Sequence, residues 1–283
     1  MKQVYHIGII TPCFCRGMDN RDNALPEIRP SSIRGQLRHW HRMLFQNPIS
    51  EKELFGGIGG KNATSSRVVI RVADVRGPQP SIAYTLPHKI NEGKGRAASK
   101  GSFPPGTQFS MQVLDRREEL NENQQRELQL TTEAWLLMGG LGLRVTRAAG
   151  SLDWVDCPRD VANFKQRTNE LIRGSKTKVA VLDKVDEPEN LRFIASDTIG
   201  GWQDRSGKDD LRRLNYPLGN SGNSGPRKTS PLRFTVRRFQ DGHRLVVIWD
   251  GLVAGRFPGH ELIRALQNKK IGDLLSKVVN ELS

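Results

Sequence analysis

A chain of 283 residues is long enough for two domains of the usual size, roughly 100–200 residues each. Lys plus Arg number 44 against 30 acidic residues, giving a net charge of +14 and a pI near 10.1, the electrostatic footprint of a polyanion binder. Hydrophobic content of 36% and a mean hydropathy of -0.54 are low for a compact enzyme, yet too apolar for a disordered chain.

Residues 4–11 (VYHIGIIT) read as an opening strand, rich in β-branched residues and closed by Pro12. A polar loop follows over about 16–30, and then a helix over roughly 32–46, preceded by Pro30 and offered N-caps by Ser31 and Ser32. Ile33, Leu37, Trp40 and Leu44 fall at helical spacing and should form its buried stripe, which makes Trp40 a core residue before it is a base-stacking platform. Arg34, Arg38 and Arg42 lie at successive i,i+4 positions on another face. Like charges at that spacing repel, so the stripe makes sense either as a solvated face or, as is preferred, if an anion neutralises it.

Residues 67–75 form a strand, and 76–106 a long excursion carrying Pro78, Pro80, Pro87, Pro104 and Pro105. A strand at 107–114 and a helix at 122–138, with Trp135 and Met138 inward, come next. A Gly-rich turn at 139–142 then leads into a short hairpin through about 154. Strand, helix, strand, strand, helix, strand is the split βαβ, or ferredoxin-like, order, and its four-stranded sheet is also that of RNA-recognition modules. The second half gives a helix at 160–172 and strands at 191–199, 231–239 and 243–250. Closing helices are expected at 259–269 and 272–282, with a polar insert at 200–230.

Cys13, Cys15 and Cys157 have no paired spacing, which argues against disulfides and zinc and for buried thiols in a reducing cytoplasm. The N-terminus lacks a long apolar stretch, so neither a signal peptide nor a membrane span is expected. FGGIGGKNATSS at 55–66 fails as a phosphate-binding P-loop, because Phe55 and Asn62 stand where Gly and Ser or Thr are required. The low aromatic content (6%) and the lack of an RNP1-like aromatic strand remove support for a conventional RNA-recognition domain.

Three constellations stand out. EIRPSSIRGQLRHWHR at 27–42 follows TPCFCRG at 11–17; GGLGLRVTRAAGS occupies 139–151; and PRKTSPLRFTV at 226–236 follows LNYPLG at 214–219. Together, in this order, they resemble the RAMP superfamily of CRISPR proteins, and within it subunit one of the type III-B (Cmr) effector complexes. The resemblance covers nearly the whole chain, although the chain is somewhat short for that family.

The resemblance implies an α+β fold of two ferredoxin-like (RRM-like) domains with long loop insertions and a Gly-rich loop, divided at 1–155 and 156–283. It also implies a cytoplasmic subunit that binds guide RNA (crRNA) and target RNA, needs no cofactor or metal, assembles with other RAMP subunits and caps the complex near the 3′ end of the guide. The chemistry agrees: Ser31 and Ser32 seat a phosphate at a helix N-terminus, and Arg34, Arg38 and Arg42 extend the seat. Gly139, Gly140 and Gly142 let a sugar-phosphate chain approach, with Arg144 and Arg147 beside it and Arg227 and Lys228 in the third constellation. Such a site holds single-stranded RNA by its phosphates, without much sequence preference.

Two enzymatic readings compete. Related backbone RAMPs cut target RNA with a metal and an aspartate in the loop after the first strand, where this chain has Asp19 and Asp22. The residues around these aspartates follow the subunit-one pattern, so the binding reading is preferred. A guide-processing ribonuclease would use His6 with His39 or His41, but no partner residue for that chemistry is visible, and His39 and His41, at i and i+2 on a helix, do not face each other and cannot readily share a ligand.

Overall fold

The computed structural model describes residues 2–17, 21, 24–59, 62–89, 98–205, 229–254 and 282. The chain opens with β1 (Lys2–Ile9), in which Tyr5, Ile7 and Ile9 are buried while Val4 and His6 are exposed, the period-2 alternation of a sheet with one covered face. Helix α1 (Pro30–Phe45) follows and buries Ile33, Leu37, Trp40, His41 and Met43, with Leu44 only partly covered. Its N-cap is Arg29, which gives no side-chain cap, and Pro30 is its first residue. Ser31 and Ser32 are therefore inside the first turn and not at the cap: proline's fixed φ suits the first helical position, so the helix begins at Pro30, two residues early.

A short helix missing from the sequence reading, α2 (Pro48–Phe55), comes next; Asn47 caps it by accepting from the backbone N–H groups of Ile49 and Ser50, both at 3.1 Å. The ribbon β2 (Gly57–Gly59) with β3 (Asn62–Thr64) precedes β4 (Val68–Arg76). The excursion after β4 contains a second ribbon, β5 (Ser81–Tyr84) with β6 (Ser99–Ser102). Then come β7 (Gln108–Asp115) and α3 (Glu122–Met138), closed at its start by a reciprocal capping box between Asn121 and Gln124.

The predicted hairpin through 154 does not form. β8 (Leu152–Trp154) pairs instead with β1, Ile7 lying opposite Trp154, and the antiparallel sheet has the order β4-β7-β1-β8. The Gly-rich segment before β8 is pinned by long-range bonds, which offer its backbone more partners than a local turn would.

The second half begins with α4 (Val161–Ile172), capped by Asp160, and continues with β9 (Lys178–Val185), which the sequence reading missed. Residues 191–199 are not a strand but part of α5 (Pro188–Arg205): Leu191, Arg192, Ala195 and Ser196 are buried, an i,i+4 pattern that only a helix presents on one side. β10 (Leu232–Phe239), β11 (Gly242–Trp249) and the short α6 (Gly251–Ala254) complete the described residues, with antiparallel order β10-β11-β9. The helices expected at 259–269 and 272–282, and most of the 200–230 insert, lie outside them. One apolar cluster runs from Ile7, Leu37 and Trp135 through Phe164 to Phe239 and Val246, so the two halves share a core.

Candidate nucleic-acid interface

The segments singled out in the sequence meet in space. Thr11 donates to Ala148 O at 2.6 Å, Cys13 Sγ lies 3.3 Å from Leu141 O, and Leu143 N donates to Phe14 O at 3.1 Å, so 11–15 is fastened along the Gly-rich segment. On its other side, Ala148 N donates to Phe234 O and Phe234 N to Thr146 O, docking β10. Helix α1 reaches the same region: His39 Nε2 lies 3.1 Å from Asp250 Oδ2, and Arg233 Nη2 lies 2.8 Å from the same oxygen. Asp250 is fully buried, and although burial works against its charge, His39 and Arg233 hold it below the usual carboxylate range.

The strongest joint is a residue the sequence reading did not select. Arg237, 1% exposed, donates from Nε to Leu137 O at 2.6 Å, from Nη2 to Gly139 O at 2.7 Å, and from Nη1 to Leu152 O, Val236 O and Thr235 Oγ1 at 3.0, 2.9 and 2.7 Å. Burial pushes it down to about 10, which leaves it charged at neutral pH. The guanidinium closes the C-terminal end of α3, where unpaired carbonyls and the negative end of the helix dipole favour a cation. The signal for it was faint: Arg237 is one of three arginines in the strand LRFTVRRF, set apart from Arg238 only by falling on the same side as Thr235 and Phe239.

The arginine stripe is partly neutralised from within. Glu51, on α2, accepts from Arg38 Nε at 2.8 Å and from Arg42 Nε and Nη2 at 2.5 and 2.6 Å. Burial works to raise its pKa, but the two guanidiniums outweigh it and hold the carboxylate below its ordinary value. Arg34 differs: it is half-buried, and its Nε is covered without an acceptor, as is Nε of Arg29. The first turn of α1 has no acidic residue, exposed Ser31 and half-buried Ser32, and arginines at the positive end of the dipole, where a cation is normally disfavoured by about 0.3–1 kcal/mol.

The predicted glycines serve packing. A Cβ on Gly139 would stand 2.4 Å from Trp135 Cδ1 and 2.8 Å from Trp40 Nε1, and one on Gly142, whose φ is +92°, would meet Phe14 backbone at 2.8 Å. Gly140 bridges to Ser151 and would meet Gly150 O at 3.0 Å. The space left by each missing side chain is filled by the protein itself. Arg144 is exposed, but Arg147 is buried, with its backbone bridged to Phe234, so it is not beside an open path as expected. Asp19, Asp22, Arg227 and Lys228 lie outside the described residues.

The histidines do not converge. His6 is exposed on the open sheet face, Nδ1 3.3 Å from Ser110 Oγ; His39 pairs with Asp250; His41 is buried. His41 Nε2 sits 3.1 Å from Glu127 Oε2, which also accepts from Ser50 Oγ, and burial holds the imidazole below its ordinary 6.5 despite Glu127. The unfolded chain therefore takes up this proton at a higher pH than the folded one, and stability falls as pH drops through that window. The melting temperature is expected to decline between about pH 7.5 and about pH 5.5, and to decline less in His41→Gln; parallel profiles would refute the assignment. All three cysteines are free and buried, and burial raises Cys157. Among the described residues no group of three His, Cys, Asp or Glu could hold a metal, and no helix is long and apolar enough to cross a membrane.

No curated protein sequence matches this chain. Among solved structures it is similar to Cmr1 from Pyrococcus furiosus in its apo form, with 20% identity over 88% of this chain and 87% of that one, at a TM-score of 0.59. It is also similar to a chain of the type III-B Cmr-beta complex bound to cognate target RNA, with 12% identity over 87% and 94% of the two chains, at a TM-score of 0.55. Residues 9–153, just over half the chain, match the family model of the RAMP superfamily. That span runs from the last residue of β1 through α1 and the Gly-rich segment, in the order expected from the sequence, and the chain belongs to the RAMP superfamily.

Proposed function

We propose that this protein is an RNA-binding subunit of a type III-B (Cmr-type) CRISPR effector ribonucleoprotein, acting in the cytoplasm in antiviral defence. The observation that carries the reading is the fold shared with Cmr1 over 88% of the chain. The start of α1, with two covered guanidinium N–H groups lacking acceptors and no acid in the first turn, supports RNA as the ligand. Ser31, Ser32 and Arg34 seat a phosphate there; exposed Arg144 extends the path, and Arg227 and Lys228 belong to it by their place in the third constellation. The chain binds guide and target RNA, caps the complex near the 3′ end of the guide beside other RAMP subunits, and does not itself cut RNA.

The architecture in this reading is two ferredoxin-like units, 1–155 and 156–283. The order β8-β1-β7-β4, with α1 and α3 as its crossovers, supports the first. The order β9-β11-β10, with α5 between β9 and β10, repeats three of those four strands and supports the second.

Crosslinking and mass spectrometry of the tagged protein from its native host tests the reading. Recovery with RAMP partners and a guide-length RNA, crosslinked within 29–34 or at 144, is expected. Target cleavage by that complex should survive Asp19→Ala with Asp22→Ala. Recovery alone and without RNA would discard the subunit reading, and loss of cleavage with assembly intact would make the chain a nuclease.

A further inference from the structure

Between α1 and α2 lies an open cavity of about 450 Å³ lined by Arg38, Arg42, Pro48, Glu51, Lys52 and Gly57. Three cations and one carboxylate meet there. Glu51 is 6% exposed, whereas Arg38 and Arg42 are 33% and 50% exposed, so the carboxylate lies beneath the guanidiniums and holds them from behind. It engages Nε of Arg38 and Nε and Nη2 of Arg42, which leaves both Nη nitrogens of Arg38 and Nη1 of Arg42 uncommitted to it. Lys52 has no ion-pair partner among the described residues. Gly57 keeps the Arg38 side open: a Cβ there would stand 3.9 Å from Arg38 Nη2 and 3.4 Å from Lys52 Cγ.

We infer that this cavity is a second phosphate site, in which Arg38, Arg42 and Lys52 hold a phosphodiester of the bound RNA and Glu51 is a positioning residue that fixes the two guanidinium forks. The inference rests on the RNA-binding reading and extends it from the start of α1 to its C-terminal half. Glu51 offsets one positive charge of the three, so a further anion is still attracted. A guanidinium held at its Nε edge presents its remaining donors in a fixed plane, which suits the tetrahedral array of phosphate oxygens. The arginines at i and i+4 stand about 6 Å apart along the helix, and Lys52 enters from the other wall, so one phosphate can be met from both sides.

Lys52 gives the cleanest test, because removing it orphans no carboxylate, whereas removing Arg38 or Arg42 disturbs Glu51. The salt dependence of binding of the full-length chain to a fluorescein-labelled single-stranded oligouridylate is measured for the unaltered protein, Lys52→Ala, Lys52→Glu and Arg34→Ala, each with its melting temperature. Loss of one phosphate contact lowers the slope of log K against log salt by about 0.7, and binding by about fivefold at 0.1 M salt. Lys52→Ala should show this at an unchanged melting temperature, and Lys52→Glu should weaken binding further. A slope that drops in Arg34→Ala but not in either Lys52 variant overturns this inference and leaves the proposed function standing. An unaltered protein that shows no salt-dependent binding overturns both.

Discussion

Arg237→Met should cost this protein about 3–5 kcal/mol of stability, a loss of roughly 5–8 °C in melting temperature for a chain of this size. The side chain is enclosed and makes no ion pair with a carboxylate among the described residues; its charge is balanced by carbonyl oxygens of Leu137, Gly139, Leu152 and Val236 and by Thr235 Oγ1. Methionine fills a similar volume but takes the donor from Leu137 O and leaves Gly139 O with only the Thr235 hydroxyl at 3.2 Å; a buried carbonyl left unpaired costs about 1–3 kcal/mol. Relief of the cation's own desolvation, which drives its pKa down to about 10, offsets part of that loss. Arg237→Lys should fall between, since an ammonium keeps the charge but cannot reach carbonyls on α3, β8 and β10 at once. Thermal denaturation of the three proteins decides it: a methionine variant as stable as the parent would show that desolvation cancels the bonds.

Gly150→Ala should be nearly as damaging, at about 3 kcal/mol or more. Gly150 has a φ of +61°, and a Cβ there would lie 1.9 Å from Leu141 O, a backbone atom that no side-chain rotation can move away. Leu141 N donates to Gly150 O at 2.9 Å and Gly150 N donates to Pro12 O at 3.0 Å, so the clash would open the loop that joins 11–15, α3 and β10. Gly174 provides the comparison. Its φ is +84°, yet nothing lies within 4 Å of an added Cβ, so Gly174→Ala should lose only the conformational strain, about 1–2 kcal/mol. Equal losses at the two positions would mean that strain, and not the approach of Leu141, fixes Gly150.

Elements with a long, regular pattern were legible. α3 spans the residues expected, 122–138, and β4, β7, α4, β10 and β11 fall within a residue or two of the reading, because each repeats its apolar period several times. Short or irregular stretches were not. α2 has eight residues and offers little periodicity, and the apolar run at 191–199 fits a strand as well as one side of α5 until Arg192 is found buried beside Leu191. Arg192 sits over the Phe14 ring at 5.5 Å and donates from Nη2 to Tyr84 O, an environment no window of sequence discloses.

The sequence by itself determined the excess of cations, the apolar stripe of α1, the absence of paired cysteines and the order of the segments that mark the RAMP superfamily. Only the tertiary structure decided which cations remain available to a ligand. Arg147, Arg192 and Arg237 are buried, Arg38 and Arg42 share Glu51, and Arg34 keeps a covered nitrogen without an acceptor. A composition counts charges, but their interaction depends on separation and on burial, and both arise only when helices and strands distant in sequence are packed against one another.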